Sequence, residues 1–151
     1  MLNKLVIFFN RNGKKPNYFL DEILKEIASK SPKDVPVLNI IMAGEPIATL
    51  FYDKEKENYG LIYHEKYKDY KGLLPFNIDL PKEESIKIGE TYYSPELWYP
   101  FSARIPNKNR RDCIEKLKEN NLTLDDHPLK ILSCIGQVSI ANRWRLEPFT
   151  P

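Results

Sequence analysis

Residues 37–63 read VLNIIMAGEPIATLFYDKEKENYGLIY, and this stretch decides the fold. Val37 to Ala43 is an apolar run of strand length, Gly44-Glu45 is a turn signal, and Ile47 to Tyr52 brings the chain back. The charged tip Asp53 to Asn58 (DKEKEN) then leads into a third strand-like run, Tyr59 to Tyr63. Connections this short suit antiparallel neighbours, because a parallel pair needs a crossover of a dozen or more residues. The stretch therefore predicts a β-meander.

Working outward, Lys4 to Asn10 (KLVIFFN) reads as a buried strand and Asn12-Gly13 as a turn. From Asn17 the apolar positions Leu20, Ile23, Leu24, Ile27 and Ala28 recur at spacings of three and four, which places them on one helical face. Asp21 and Glu22 lie early, where a helix dipole favours negative charge, and Ser31-Pro32 stops the helix. The expected organisation is thus a strand–helix extension over 1–34, followed by a domain over 35–151.

Downstream, Lys66 to Lys71 is rich in Tyr and Lys and is expected to cover a sheet edge. Leu73 to Leu80 alternates apolar and polar positions, with Pro75 confining it to an edge or to an extended crossing segment. Pro81, Pro95, Pro100 and Pro106 punctuate an irregular middle, in which no regular element is expected over 81–95. A helix is predicted over about Lys108 to Asn120, with Cys113, Ile114 and Leu117 inward and Arg110, Arg111, Lys116 and Lys118 outward. A second is predicted to start near Asp125 as its cap, with Asp126 in the first turn and Pro128 tolerated early. Leu129, Ile131, Leu132 and Ile135 supply its apolar face, and Gly136 stops it. Val138, Ile140, Trp144 and Leu146 suggest a last strand. The fold class is α+β: a small antiparallel sheet packed by C-terminal helices, with the extra N-terminal strand–helix unit.

Composition narrows the function. Lys plus Arg is 23 and Asp plus Glu is 21, a formal charge of +2, which gives no electrostatic case for a nucleic-acid coat or an acidic membrane surface. A hydrophobic share of 42% beside 29% charged residues argues for a soluble globular chain. The longest apolar run, Leu5 to Phe9, is too short for a membrane span or a signal-peptide core, so a cytoplasmic location is expected. Cys113 and Cys134 form no CxxC pair and read as buried reduced thiols.

Catalytic constellations are scarce. There is no GxxxxGK[ST] or GxGxxG loop to cradle phosphate, and no HRD or DFG set for phosphoryl transfer. His64 and His127 carry no local signature that joins them to either cysteine as a dyad or a zinc site. Asp125-Asp126 reads as helix capping rather than as paired catalytic carboxylates. No catalytic residue, metal or cofactor is expected. The informative feature is the aromatic, proline-rich middle: Tyr92, Tyr93, Trp98, Tyr99 and Arg104 are the types that dominate protein interfaces, held on a constrained segment. Core filling is the competing reading for Trp98 and Phe101.

The motif order resembles the N-terminal subdomain of HipA-type serine/threonine toxin kinases. That subdomain opens with a meander like Val37 to Tyr63, with Gly44 in the turn. It continues with an extended Pro-Leu-Ser-Leu-Ser-Leu-Pro segment, to which Pro75-Phe76-Asn77-Ile78-Asp79-Leu80-Pro81 is similar. An aromatic segment closing on a Leu-Pro turn follows, as in Phe101 to Pro106 (FSARIP), and then a helix ending in Ile-Gly, as in Ile135-Gly136. The likeness spans about Val37 to Ile140. It departs where the family has Arg-Asp after Ile-Gly and this chain has Gln137-Val138, and residues 1–34 have no counterpart in it. A free-standing form resembles the HipS component of HipBST toxin–antitoxin systems.

The resemblance implies a non-catalytic, antitoxin-like protein that binds and inhibits a separate HipA/HipT-like kinase, with a HipB-like helix-turn-helix DNA-binding protein as a further partner. Tyr92, Tyr93, Trp98, Tyr99 and Arg104 are the expected partner contacts. Two alternatives stay open: a structural or activating subunit of a split kinase, and a nucleic-acid-binding repressor component using Arg110, Arg111, Arg143 and Arg145.

Overall fold

The computed structural model describes residues 17–70, 87–135 and 144–149. Helix α1 spans Asn17–Lys30, followed by strands β1 (Leu38–Met42), β2 (Glu45–Asp53) and β3 (Asn58–Tyr63). A 3-10 helix at Glu65–Tyr70 precedes β4 (Thr91–Ser94). Then come the one-turn helix α2 (Tyr99–Ser102), α3 (Arg111–Glu119), α4 (Pro128–Ile135) and β5 (Trp144–Pro148). The strands form one antiparallel sheet in the order β4-β3-β2-β1-β5. This is the α+β class expected. The predicted strand at Lys4 to Asn10, the Asn12-Gly13 turn, the segment Leu73 to Leu80, the Gly136 stop and the strand start at Val138 and Ile140 lie outside the described residues.

The meander follows the sequence pattern closely. Leu38, Ile40 and Met42 alternate onto one face opposite Leu50 and Ala48, and Leu61 and Tyr63 continue that face on β3. The first hairpin turns on Ala43 (φ 52°) and Gly44 (φ 81°), not on Gly44-Glu45. Positive φ at both central residues is the type I′ geometry that matches strand twist, and Glu45 already pairs with Met42. A bulge between Ile40 and Ile41 leaves Ile47 as the extra residue beside Pro46, which cannot donate to a ladder. In the second hairpin the buried Asp53 carboxylate accepts the N–H groups of Glu55 (3.0 Å) and Lys56 (3.1 Å), a local turn lock.

The sheet separates two apolar clusters. On one face Leu38, Ile40, Leu50, Leu61 and Tyr63 pack with Tyr67, Trp98, Phe101, Leu129, Leu132, Trp144 and Leu146. On the other, Ile23 and Ile27 of α1 pack on Val37, Phe51 and Ile62. The Lys30 carbonyl at the end of α1 also accepts the Lys54 N–H at 3.0 Å, tying the helix to the second hairpin.

Three elements differ from the sequence reading. Thr91 to Ser94 is a strand, because the outer edge of β3 offers it a ladder and Tyr92 and Tyr93 each find a ring on opposite faces. Helix α3 starts at Arg111 rather than near Lys108, since the Asn107 side chain folds back onto the Asn109 N–H (2.9 Å) in a preceding turn. Helix α4 is capped by His127 rather than Asp125. Pro128 fixes the first helical position, so the ring before it, through Nδ1, accepts the Leu129 N–H at 3.1 Å.

A proline sits at an outward position of β5, and another, Pro95, directly follows β4. The Phe149 N–H donates to the Val37 carbonyl at 2.7 Å, so Arg145, Glu147 and Phe149 direct their backbone groups at β1, while Trp144, Leu146 and Pro148 direct theirs away. The Gly89 N–H donates to the Tyr63 carbonyl at 2.9 Å. Tyr92 and Ser94 therefore face β3, and Thr91 and Tyr93 face away.

Candidate partner-binding surface

The five residues singled out in the sequence do not converge on one surface. Tyr92 and Tyr93 are neighbours on β4 and so point to opposite faces. Tyr92 lies edge-on to Tyr63 (centroids 6.1 Å apart), and its hydroxyl accepts the Lys87 N–H at 2.9 Å. Tyr93 lies edge-on to Phe51 (6.2 Å), with the Lys56 ammonium 4.0 Å from its ring centroid. Burial, and then the neighbouring Asp53 carboxylate, raise the Tyr93 hydroxyl above the ordinary tyrosine pKa. Both tyrosines are half-buried and make structural contacts.

Trp98 and Tyr99 separate cleanly. Trp98 is 2% exposed and belongs to the core cluster with Phe101 and Trp144, so it is not on the solvent-facing surface. Its carbonyl accepts the N–H groups of Phe101 and Ser102, both at 3.0 Å, which opens α2. Tyr99, the next residue, is 66% exposed and is the large hydrophobic side chain on the surface among the described residues. Its backbone is fixed, since its carbonyl accepts from the Ala103 N–H (2.8 Å) and the Ser102 hydroxyl (3.2 Å). Buried Trp98 and Pro100 flank it, and Phe101 is fully enclosed. A one-turn helix with its other bulky members inside thus holds one aromatic ring outward.

Arg104 is a clamp. Its guanidinium stacks over Trp144 at 3.4 Å from the ring centroid, and Nη2 donates to the Trp144 carbonyl at 2.7 Å. That carbonyl is one of those β5 turns away from β1, so the arginine occupies an edge acceptor while joining the α2 region to the strand. Burial lowers the Arg104 pKa to about 10, which leaves it charged at neutral pH. Phe101 completes the joint, edge-on to Trp144 at 5.4 Å.

The histidines and cysteines are engaged elsewhere. His64 is buried and lies 2.6 Å from the Thr49 hydroxyl. His127, besides capping α4, packs edge-on to Tyr52 at 4.9 Å, and burial and then Lys130 lower its pKa. Cys113 and Cys134 are free thiols, half-buried rather than fully enclosed. The Cys134 sulfur meets Asn120 Nδ2 at 3.3 Å. Among the described residues no group of three or more His, Cys, Asp or Glu is placed to hold a metal ion.

No protein-family model, no curated protein and no solved structure matches this chain. Among the described residues no helix is long and apolar enough to cross a membrane. The role of Trp144 as the ring under Arg104 and of His127 as a cap escaped the sequence reading. His127 did carry a signal: it directly precedes a proline at the start of an apolar helical pattern.

Proposed function

We propose that the chain is a non-catalytic, antitoxin-like protein that binds and inhibits a separate HipA-family serine/threonine kinase, with Tyr99 as a surface anchor. The observation that carries this reading is the presentation of Tyr99. An aromatic ring held out on a rigid turn loses little conformational freedom on docking, which is the usual economy of an interface hot spot. The β1–β3 meander and the α3–α4 pair are in the order that the family resemblance requires, and they support the same reading. Inhibition in this proposal comes from occupying kinase surface. The site needs no chemistry of its own.

The nucleic-acid reading draws less support. Arg110 faces Asp112 at 3.3 Å and Arg145 faces Glu147 at 2.8 Å, so two of its four arginines already sit beside carboxylates. Arg143 lies outside the described residues.

The deciding experiment is a phosphorylation assay of a HipA-family kinase encoded beside this chain, with and without the purified chain, together with a co-purification. Reduced phosphorylation and a stable complex are expected. Raised phosphorylation would favour an activating subunit, and no complex with unchanged activity would end the proposal.

A further inference from the structure

The α1 side of the sheet carries a polar chain inside an apolar layer. Thr49 is fully buried, His64 nearly so, and Asn39 partly so. The Thr49 hydroxyl lies 2.7 Å from Asn39 Oδ1 and 2.6 Å from His64 Nε2. A hydroxyl has one proton to give. Asn39 Oδ1 can only accept, so it takes that proton, and Thr49 must then accept from His64. The ring is therefore the Nε2–H tautomer, with Nδ1 as its basic nitrogen. The backbone of the same residue is a fastening point: its N–H donates to the bulged Ile47 carbonyl (2.9 Å), and its carbonyl accepts the Tyr67 N–H (3.0 Å).

We propose that His64 is an acid-sensitive latch: neutral, it holds the 3-10 segment Glu65–Tyr70 to the end of the β2–β3 hairpin through Thr49 and Asn39, and protonated, it releases that segment before the sheet opens. Among the described residues no carboxylate is bonded to the His64 ring to compensate a cation there. Its side-chain partner, Thr49, and the Asn39 amide beyond it are both uncharged. Glu45 of β2 faces Lys66 at 3.7 Å, with both side chains largely in solvent. Glu65 is exposed, Arg145 of β5 is paired with Glu147, and Glu22 of α1 with Lys25. Glu26 sits on a half-exposed position of α1, and Asp53 is occupied at the far end of β2 by its own turn. Burial is the cause that lowers the His64 pKa to about 4, with no charged neighbour contributing. The inference stands apart from the kinase-binding reading.

The test is nitrogen-resolved NMR with amide exchange on the intact chain. At neutral pH the His64 ring shows the Nε2–H tautomer. Between about pH 6.5 and 4.5 the protection factors of the His64 and Tyr67 amides fall roughly forty-fold, as linkage to a group shifted from 6.5 to about 4 requires, and at every pH they stay well below those of Leu38 and Leu50, which open only with the sheet. In His64→Gln, which cannot titrate, the fall disappears. Should that variant fail to fold, Thr49→Val is read instead, which removes the ring's acceptor and lowers the protection of the His64 and Tyr67 amides already at neutral pH. An Nδ1–H tautomer, equal protection of the His64, Tyr67, Leu38 and Leu50 amides throughout, or a persisting fall in His64→Gln would overturn the latch.

Discussion

Gly60 is the sharpest place to test the packing. It pairs with Phe51 across β2 and β3, and the Phe51 ring lies directly over it. A Cβ at this position would come within 3.0 Å of the ring carbons Cζ, Cε1 and Cε2, where ordinary contacts are 3.4–4 Å. The Gly60 backbone has no positive φ, so alanine meets a steric conflict and nothing else. The ring has little room to retreat. It is fully buried, packs in one cluster with Ile23 and Ile27 of α1, and meets Tyr93 at its edge. Overpacking of this kind costs about 1–3 kcal/mol. The reduced freedom of an unfolded alanine returns about 0.4–1 kcal/mol. Gly60→Ala is therefore expected to lose about 1–2 kcal/mol in urea unfolding at unchanged m-value, and about 2–4 °C of Tm per kcal/mol. Repeating the substitution in a Phe51→Leu background isolates the cause. With the ring gone, Gly60→Ala becomes neutral or stabilising, and the double-mutant cycle shows a coupling of the size of the original loss. Equal losses in both backgrounds would refute the reasoning and place the cost in the backbone.

Trp98 and Tyr99 part company in the same way. Trp98→Ala loses about 3–5 kcal/mol of stability, whereas Tyr99→Ala changes it by less than about 0.5 kcal/mol and weakens kinase binding roughly ten-fold or more, measured by titration calorimetry. Unaltered binding by Tyr99→Ala removes it as the anchor. Arg104→Lys gives up the flat stack on Trp144 and is expected to lose about 1–2 kcal/mol in the same unfolding assay; full stability in that variant would show that the clamp is dispensable. Stability also falls on acidification. The unfolded chain protonates His64 near 6.5 while the folded chain resists to about 4, so the contribution is complete at neutral pH and is lost as pH drops through that window, about 3 kcal/mol in all. His127 is shifted in the same direction and adds to the slope. A urea midpoint independent of pH across that window would contradict the burial of His64.

The parts of the fold that were legible in the sequence are those fixed by near neighbours. Alternation in Leu38, Ile40 and Met42, the glycine at 44 and the charged tip at 53–58 dictate the meander locally, and Ser31-Pro32 ends α1 where expected. What distant residues decide was not legible. The pairing of Tyr92 and Tyr93 as a strand depends on the open edge of β3, and the side of the sheet on which β5 joins depends on β1, roughly a hundred residues earlier. The candidate surface shows the same limit. Adjacent aromatics at 98 and 99 are equivalent as text, and only the start of α2 at Tyr99 sends one inward and the other out. Arg104 looked like an interface arginine because its partner, Trp144, is forty residues away.

The ring at Pro148 has a consequence for crowded copies of this chain. A neighbour trying to continue the ladder along the outward side of β5 beyond Leu146 would arrive at a ring where it needs an amide hydrogen. With that flank of the described strands so poor a template, ribbon-like stacking finds no easy seed along it.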